Sequence, residues 1–179
     1  MTGQYMGIRI VKFSSDTMQY QELIWKLRPK VIVECGTRFG GSALFFAHMM
    51  ELMKIPDAKV ITIDITDEEY QAPEHPLIHR LIGSSVDPAI FSKVVEGIGK
   101  LSPVLISLDS EHTTEHVLNE LNLYHKLVTK GSYLIVEDTN QLGPRMALYK
   151  FLSEHPEFVP DTIIQPVDTS NPSGYLLRV

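Results

Sequence analysis

The sequence predicts an α/β fold, with a mostly parallel sheet, helices on both faces and an antiparallel pair at the end. Three observations predict it. Short apolar runs at 31–34, 60–63, 77–82, 104–108 and 133–136 alternate with longer amphipathic stretches, as in repeated βαβ units. Val31-Ile32-Val33 is β-branched throughout, which suits a strand buried on both faces. Short apolar runs at 158–159, 162–164 and 175–177 follow, the last two separated by the turn sequence Thr169-Ser170-Asn171-Pro172-Ser173-Gly174.

Composition narrows the function classes. A length of 179 residues suits one domain. The net charge of −6 argues against a nucleic-acid backbone as the main partner. There is no apolar run of membrane-spanning length and no signal-peptide pattern, so a cytoplasmic setting is expected. Cys35 is the one cysteine, which excludes an internal disulfide. Between Glu34 and Gly36 it reads as a small packing residue.

The elements follow in order. Residues 1–13 form either a small edge strand or a segment draped over the site. Ser15 or Asp16 is the expected N-cap of a helix over 16–27, and Pro29 blocks its continuation. The strand 31–34 ends on an acid, Glu34. A glycine loop and a helix over 42–53 come next, the helix methionines and phenylalanines being core. The strand 59–65 closes on Asp64, and a polar stretch with Pro73 and Pro76 leads to the strand 77–82. Gly83-Ser84-Ser85 precedes Asp87-Pro88, an N-cap with proline in the first helical turn, and a helix over 89–98. The strand 104–108 ends on Asp109. A helix from about 114 to 128 stops before Lys130-Gly131, and the strand 133–136 ends on Glu137-Asp138. Pro144 starts a helix over 145–153.

Strand, acid, glycine turn and helix make a place for a nucleotide-like ligand beyond the strand's carboxyl end. A dinucleotide site wants G-x-G-x-x-G, with its acid one strand later. Here Glu34 ends the first strand, followed by Gly36, Thr37, Gly40, Gly41 and Ser42. That order fits the E/D-x-G-x-x-x-G signature of S-adenosylmethionine (SAM) methyltransferases better. Gly36 lets the backbone pass close to the ligand. Asp64 can accept both ribose hydroxyls of an adenosyl group, as the equivalent acid does in NAD enzymes. Ser84 is the expected contact beside the adenine. The plain alternative is a tight βα turn with solvent-facing acids.

Asp109, Glu137 and Asp138 end neighbouring strands and converge on the same cleft. Three carboxylates together need a cation, protonation or solvation. Mg²⁺ suits hard oxygen ligands, and it would bind and acidify a hydroxyl nucleophile. The alternative is that these acids cap helices and meet water. His112, three positions after Asp109, is a candidate general base, metal-shell residue or helix-start residue. His116 and His125 read as solvent-facing.

These blocks resemble the cephalosporin hydroxylase/rhamnosyl O-methyltransferase family of class I SAM-dependent methyltransferases. The resemblance is carried by Tyr20-Gln21-Glu22, by the run from Glu34 to Phe45, and by Ile63-Asp64-Ile65. It continues through Gly83-Ser84-Ser85-Val86-Asp87-Pro88, the run from Ser107 to Thr113, the run from Gly131 to Thr139, and Asn171-Pro172-Ser173-Gly174-Tyr175-Leu176. It implies a Rossmann-like seven-stranded sheet, mostly parallel with an antiparallel last strand, in one domain over 1–179 whose first 30 residues cover the sheet or site. It also implies SAM on Glu34, Gly36, Ser42, Asp64 and Ser84, a Mg²⁺ ion on Asp109, Glu137 and Asp138, and a homo-oligomer. The segment between Thr139 and Gly143-Pro144 looks shorter than in the family, which touches the substrate pocket. The expected activity is Mg²⁺-dependent O-methylation of a small hydroxylated molecule: a sugar, glycoside, catechol or natural-product intermediate. The rival readings are a metal-independent N-methyltransferase and a non-catalytic SAM-binding subunit. A weaker rival is an NAD-binding domain.

Overall fold

The computed structural model describes residues 3–179, and the first two positions of the 1–13 segment lie outside it. The chain opens with a hairpin of β1 (Gly3–Tyr5) and β2 (Ile8–Ile10) and continues into α1 (Ser14–Leu27). The main body is β3 (Val31–Cys35), α2 (Gly41–Leu52), β4 (Lys59–Asp64), β5 (Ile78–Ile82), α3 (Pro88–Ile98), β6 (Val104–Leu108), α4 (Thr114–Tyr124), β7 (Tyr133–Val136), α5 (Leu142–Glu154), β8 (Phe158–Pro160) and β9 (Tyr175–Arg178). A 3₁₀ turn, His125–Leu127, extends α4.

Seven strands form one sheet in the order β5-β4-β3-β6-β7-β9-β8. The first five run parallel, and β9 enters antiparallel between β7 and β8. The register puts Val31 beside both Lys59 and Val104. The chain steps from β3 to β4 on one side, then returns to place β6 on the other. That makes β3 and β6 the switch point of the sheet, where an open α/β fold leaves a crevice at the strands' carboxyl ends.

Strand alternation divides the core in two. Val31, Val33 and Cys35 face α3, α4 and α5, packing near Val94, Leu121 and Phe151. Ile32 faces α1 and α2, packing near Tyr20, Ile24, Phe46 and Met50. β3 is buried along its whole length, as its β-branched run predicts.

Four expectations change. Of the two readings of 1–13, the edge strand of the main sheet fails, since the hairpin β1–β2 forms its own sheet, and the segment instead borders the site through Arg9, Ile10, Val11 and Lys12. The N-cap of α1 is Phe13, whose carbonyl accepts from Thr17 N–H at 2.9 Å; neither Ser15 nor Asp16 caps it. The Asp16 carboxylate instead accepts from Tyr175 Oη (2.6 Å), Ser170 N–H (3.0 Å) and the Thr169 hydroxyl. A buried acid here clamps α1 to the turn before β9. Residues 162–164 are irregular, because Ile163 is exposed and has no strand to pair with. Finally, α4 is shorter than 114–128, as the 3₁₀ turn takes over at His125. The Asp87 cap is as expected: its Oδ1 accepts from Ala89 N–H at 2.7 Å, with Pro88 opening the helix.

Candidate active site

A cavity of about 590 Å³ opens over the carboxyl ends of β3, β4 and β6, within the range of small-ligand sites. Gly36, Thr37, Ser42, Asp64, Ser84, Asp109, His112 and Asp138 all line it. Glu34, Gly40 and Glu137 do not.

The glycine loop sets the floor. Gly36 has φ +99, and a Cβ there would run into the Asp109 carbonyl oxygen. Only glycine therefore lets the ends of β3 and β6 close together. Gly41 has the same role for the hairpin, since a Cβ would strike the Arg9 carbonyl oxygen. The hairpin can then lie against the start of α2 and carry Arg9, Ile10 and Lys12 to the cavity wall.

Two acids prepare the β3–β4 side. Asp64 ends β4 and holds the loop by accepting from Arg38 N–H at 2.7 Å. Glu34 is fully buried and accepts from Thr62 Oγ1 at 2.7 Å through Oε2, while its Oε1 has no partner among the described residues. Burial pushes its carboxyl up to about 7, against the lowering influence of Lys12.

The β6–β7 side holds the other acids. Lys12, which is buried, places Nζ 2.8 Å from Asp109 Oδ2 and 2.5 Å from Glu137 Oε1. Burial alone would lower the Lys12 pKa, but the two carboxylates override it and raise it. Burial likewise raises Asp109, yet Lys12 and the nearby His112 bring it below its usual value. Glu137 stays raised, by burial first, although Lys12 opposes it. Its Oε1 also accepts from Tyr20 Oη (2.6 Å) and Ser107 Oγ (2.9 Å), so Glu137 is turned into the protein.

Asp138 adopts a left-handed φ of +53, and its N–H donates to Asn171 Oδ1 at 2.8 Å. Its carboxylate pKa is raised by burial and then by the Asp109 charge. His112 Nε2 lies 3.6 Å from Asp109 Oδ1 and 3.5 Å from Asp138 Oδ2, buried and without a hydrogen-bond partner among the described residues. The nearby Asp109 carboxylate raises the His112 pKa over the opposing effect of burial. Asp109, His112 and Asp138 bring donor atoms within 4.8 Å of one another. Two hard carboxylates with an unpartnered donor atom between them fit a divalent ion such as Mg²⁺. Glu137, expected in this group, lies behind it, paired with Lys12.

Ser84 and Ser85 both line the cavity, and Ser85 donates to Glu120 at 2.5 Å. His116 is not solvent-facing. It lines the cavity, contacts Ser85 Oγ at 3.1 Å and lies 3.5 Å from Glu120. Four positions separate His116 from Glu120, so one helix face turns both inward. Cys35 is buried, and burial pushes its thiol pKa up, in keeping with packing. The residue that sequence reasoning missed is Lys12. Its signal was faint: one cation in the apolar run Ile10-Val11-Lys12-Phe13.

Comparison with known proteins fits this geometry. A sequence model of the family described as Rhamnosyl O-methyltransferase/CmcI matches residues 1–179. The Rhamnosyl O-methyltransferase of Mycobacterium tuberculosis (strain H37Rv) is 34% identical over 193 residues, spanning 97% of this chain and 77% of that protein. The Mycobacterium leprae protein of the same name is 40% identical over 147 residues, spanning 79% of this chain and 62% of its own length. The Mg-SAM structure of CmcI superposes with a TM-score of 0.81 at 26% identity, covering 99% of this chain and 76% of CmcI. The chain belongs to the Rhamnosyl O-methyltransferase/CmcI family, within the SAM-dependent O-methyltransferases.

Proposed function

We propose that this protein transfers the methyl group of SAM to a hydroxyl of a small glycosidic or sugar-like acceptor, with Mg²⁺ at the acid cluster. The observation that carries the reading is one cavity with two chemistries: the Gly36 loop and Asp64 on one side, Asp109, His112 and Asp138 on the other. The rhamnosyl relatives support a sugar hydroxyl as the acceptor.

Gly36, Thr37 and Ser42 would line the SAM site, with Asp64 accepting from the ribose hydroxyls and Ser84 beside the adenine. Gly40 shapes the entry to α2. The unpartnered Oε1 of Glu34 is the remaining acceptor under the loop. Asp109 and Asp138 would hold the metal, with Glu137 behind them as the third acid the resemblance implies. When bound, Mg²⁺ supplies a Lewis acid for the acceptor hydroxyl. His112, whose Nε2 faces the same cluster, would take the hydroxyl proton. In-line transfer then rests on positioning and on electrostatics in a partly dry cavity. On this reading 1–179 is one catalytic domain, and the hairpin wall is part of its site.

One observation favours a second reading, metal-independent transfer: Lys12 already pairs with both Asp109 and Glu137 and offsets part of their charge. The test is methyl transfer from labelled SAM to a panel of rhamnosides and other glycosides, with Mg²⁺ or with chelator. Transfer that needs Mg²⁺ supports the first reading. Equal transfer in chelator supports the second. SAM binding with no transfer to any hydroxyl would contradict both. A homo-oligomer fits the exposed apolar stripe Leu142, Met146 and Tyr149 on α5. Sedimentation of the chain with Met146→Glu would show whether that stripe is buried between copies.

A further inference from the structure

α4 leaves the carboxyl ends of the strands and returns, so its last turn lies at their amino ends, away from the cavity. There His125 meets His155, which follows α5, and Glu157, which precedes β8. None of the three lines the cavity. Their donor atoms lie within 4.8 Å of one another, and all three residues are half-buried.

The two imidazoles are held in complementary ways. His125 Nδ1 contacts the Leu121 carbonyl oxygen at 2.9 Å, which makes that nitrogen the N–H donor. His155 Nδ1 contacts Glu157 Oε1 at 3.0 Å. His125 therefore has Nδ1 engaged by a backbone carbonyl and Nε2 left with its lone pair, which is how metal-ligating histidines are oriented. His155 Nδ1 and Glu157 Oε1 already stand close to the separation of two ligands on one zinc ion, about 3.3 Å. The rings sit 4.4 Å apart by centroid, and both pack on Phe151. Phe158 also borders His125. Such an apolar border limits rotamer freedom. Burial holds the His125 pKa below its ordinary value.

We propose that His125, His155 and Glu157 form a second metal site, which takes a borderline transition-metal ion such as Zn²⁺ and is separate from the acid cluster of the cavity. Two imidazoles and one carboxylate suit Zn²⁺ rather than Mg²⁺. Zinc ligands stand roughly 3.3 Å apart given Zn–N distances of about 2.0 Å. Ion binding therefore draws the three side chains inward, with solvent completing the shell. The ion would clip the end of α4 to the turn between α5 and β8.

The test uses the full chain with Asp109→Asn, so that the cavity cluster is disabled, and Zn²⁺ as the probe in calorimetric titration. The expected result is one Zn²⁺ per chain and a Zn²⁺-dependent rise in melting temperature, with no matching response to Mg²⁺. Adding His125→Ala or His155→Ala should abolish both. Adding Glu157→Gln should weaken binding by about 10-fold or more. SAM binding and circular dichroism check that each variant is folded. A measurement on the unsubstituted chain avoids folding altogether: Zn²⁺ should protect His125 and His155 from diethyl pyrocarbonate, read by mass spectrometry. The proposal is overturned by no Zn²⁺ binding in the Asp109→Asn chain, by equal binding after either histidine substitution, or by unprotected histidines at saturating Zn²⁺.

Discussion

Lys12 and Asp109 lie 97 positions apart in the chain, yet Lys12 Nζ approaches Asp109 Oδ2 to 2.8 Å. The ammonium also meets Glu137, so the segment after the hairpin is fastened to the ends of both β6 and β7. A charge buried this deeply persists only because it is paired. The pairing ties the N-terminal segment to the proposed metal cluster.

Lys12→Met should therefore destabilise the fold by about 3–5 kcal/mol, because it leaves two carboxylates without their cation. Urea unfolding reads this directly. Mg²⁺ should raise the midpoint of the variant more than that of the parent. An unchanged midpoint would mean that the pair contributes nothing.

Gly36→Ala should separate the ends of β3 and β6, since the new methyl would meet the Asp109 carbonyl at a φ of +99. The expected outcome is a lower melting temperature with SAM affinity reduced by at least about 10-fold, a loss of ~1.4 kcal/mol. Wild-type SAM affinity in this variant would remove the loop from the cofactor site.

Glu34→Gln tests the buried carboxyl by pH. The folded pKa of about 7 lies above the ordinary 4.5, so folding favours the protonated form. That contribution is fully present below about pH 4.5 and is lost as pH rises through 7. Glutamine cannot titrate. The wild type should therefore lose up to about 3 kcal/mol relative to the variant between pH 4.5 and 8. Parallel stability curves for the two proteins would show that Glu34 is not perturbed.

Asp16→Ala removes the acceptor shared by Tyr175, Ser170 and Thr169. Each buried donor left unpaired costs about 1–3 kcal/mol. Global stability should fall by at least about 2 kcal/mol, with hydrogen exchange rising first around β9. If exchange rises only within α1, the clamp has been misplaced.

Much of the fold was legible because the central parallel strands β3, β4, β6 and β7 are buried on both faces and so appear as dense apolar runs, while the half-exposed edge strand β5 shows a weaker one. The acids at strand ends were legible for a related reason. Glu34, Asp64, Asp109 and Asp138 mark where an apolar run meets the crevice. What local pattern could not supply was contact between distant segments. Lys12 was one cation in a short apolar run, and its partners lie 97 and 125 positions away. Asp16 looked like a cap, since an acid near a helix start ordinarily is one. Its carboxylate is instead taken by a turn more than 150 positions on. His116 read as exposed because nothing in its neighbourhood shows that α4 turns this face toward Ser85. Glu137 and Asp138 are adjacent, but the backbone turn at Asp138 sends one side chain inward to Lys12 and the other to the cavity.

The most direct test of the central claim is calorimetric titration of SAM into the chain, then of Mg²⁺ into the SAM complex, for wild type and Asp109→Asn. SAM should bind to both proteins, and the wild type should show one Mg²⁺ site that disappears in the variant. Mg²⁺ binding of equal strength in both, or SAM binding with no Mg²⁺ site in the wild type, would contradict that claim.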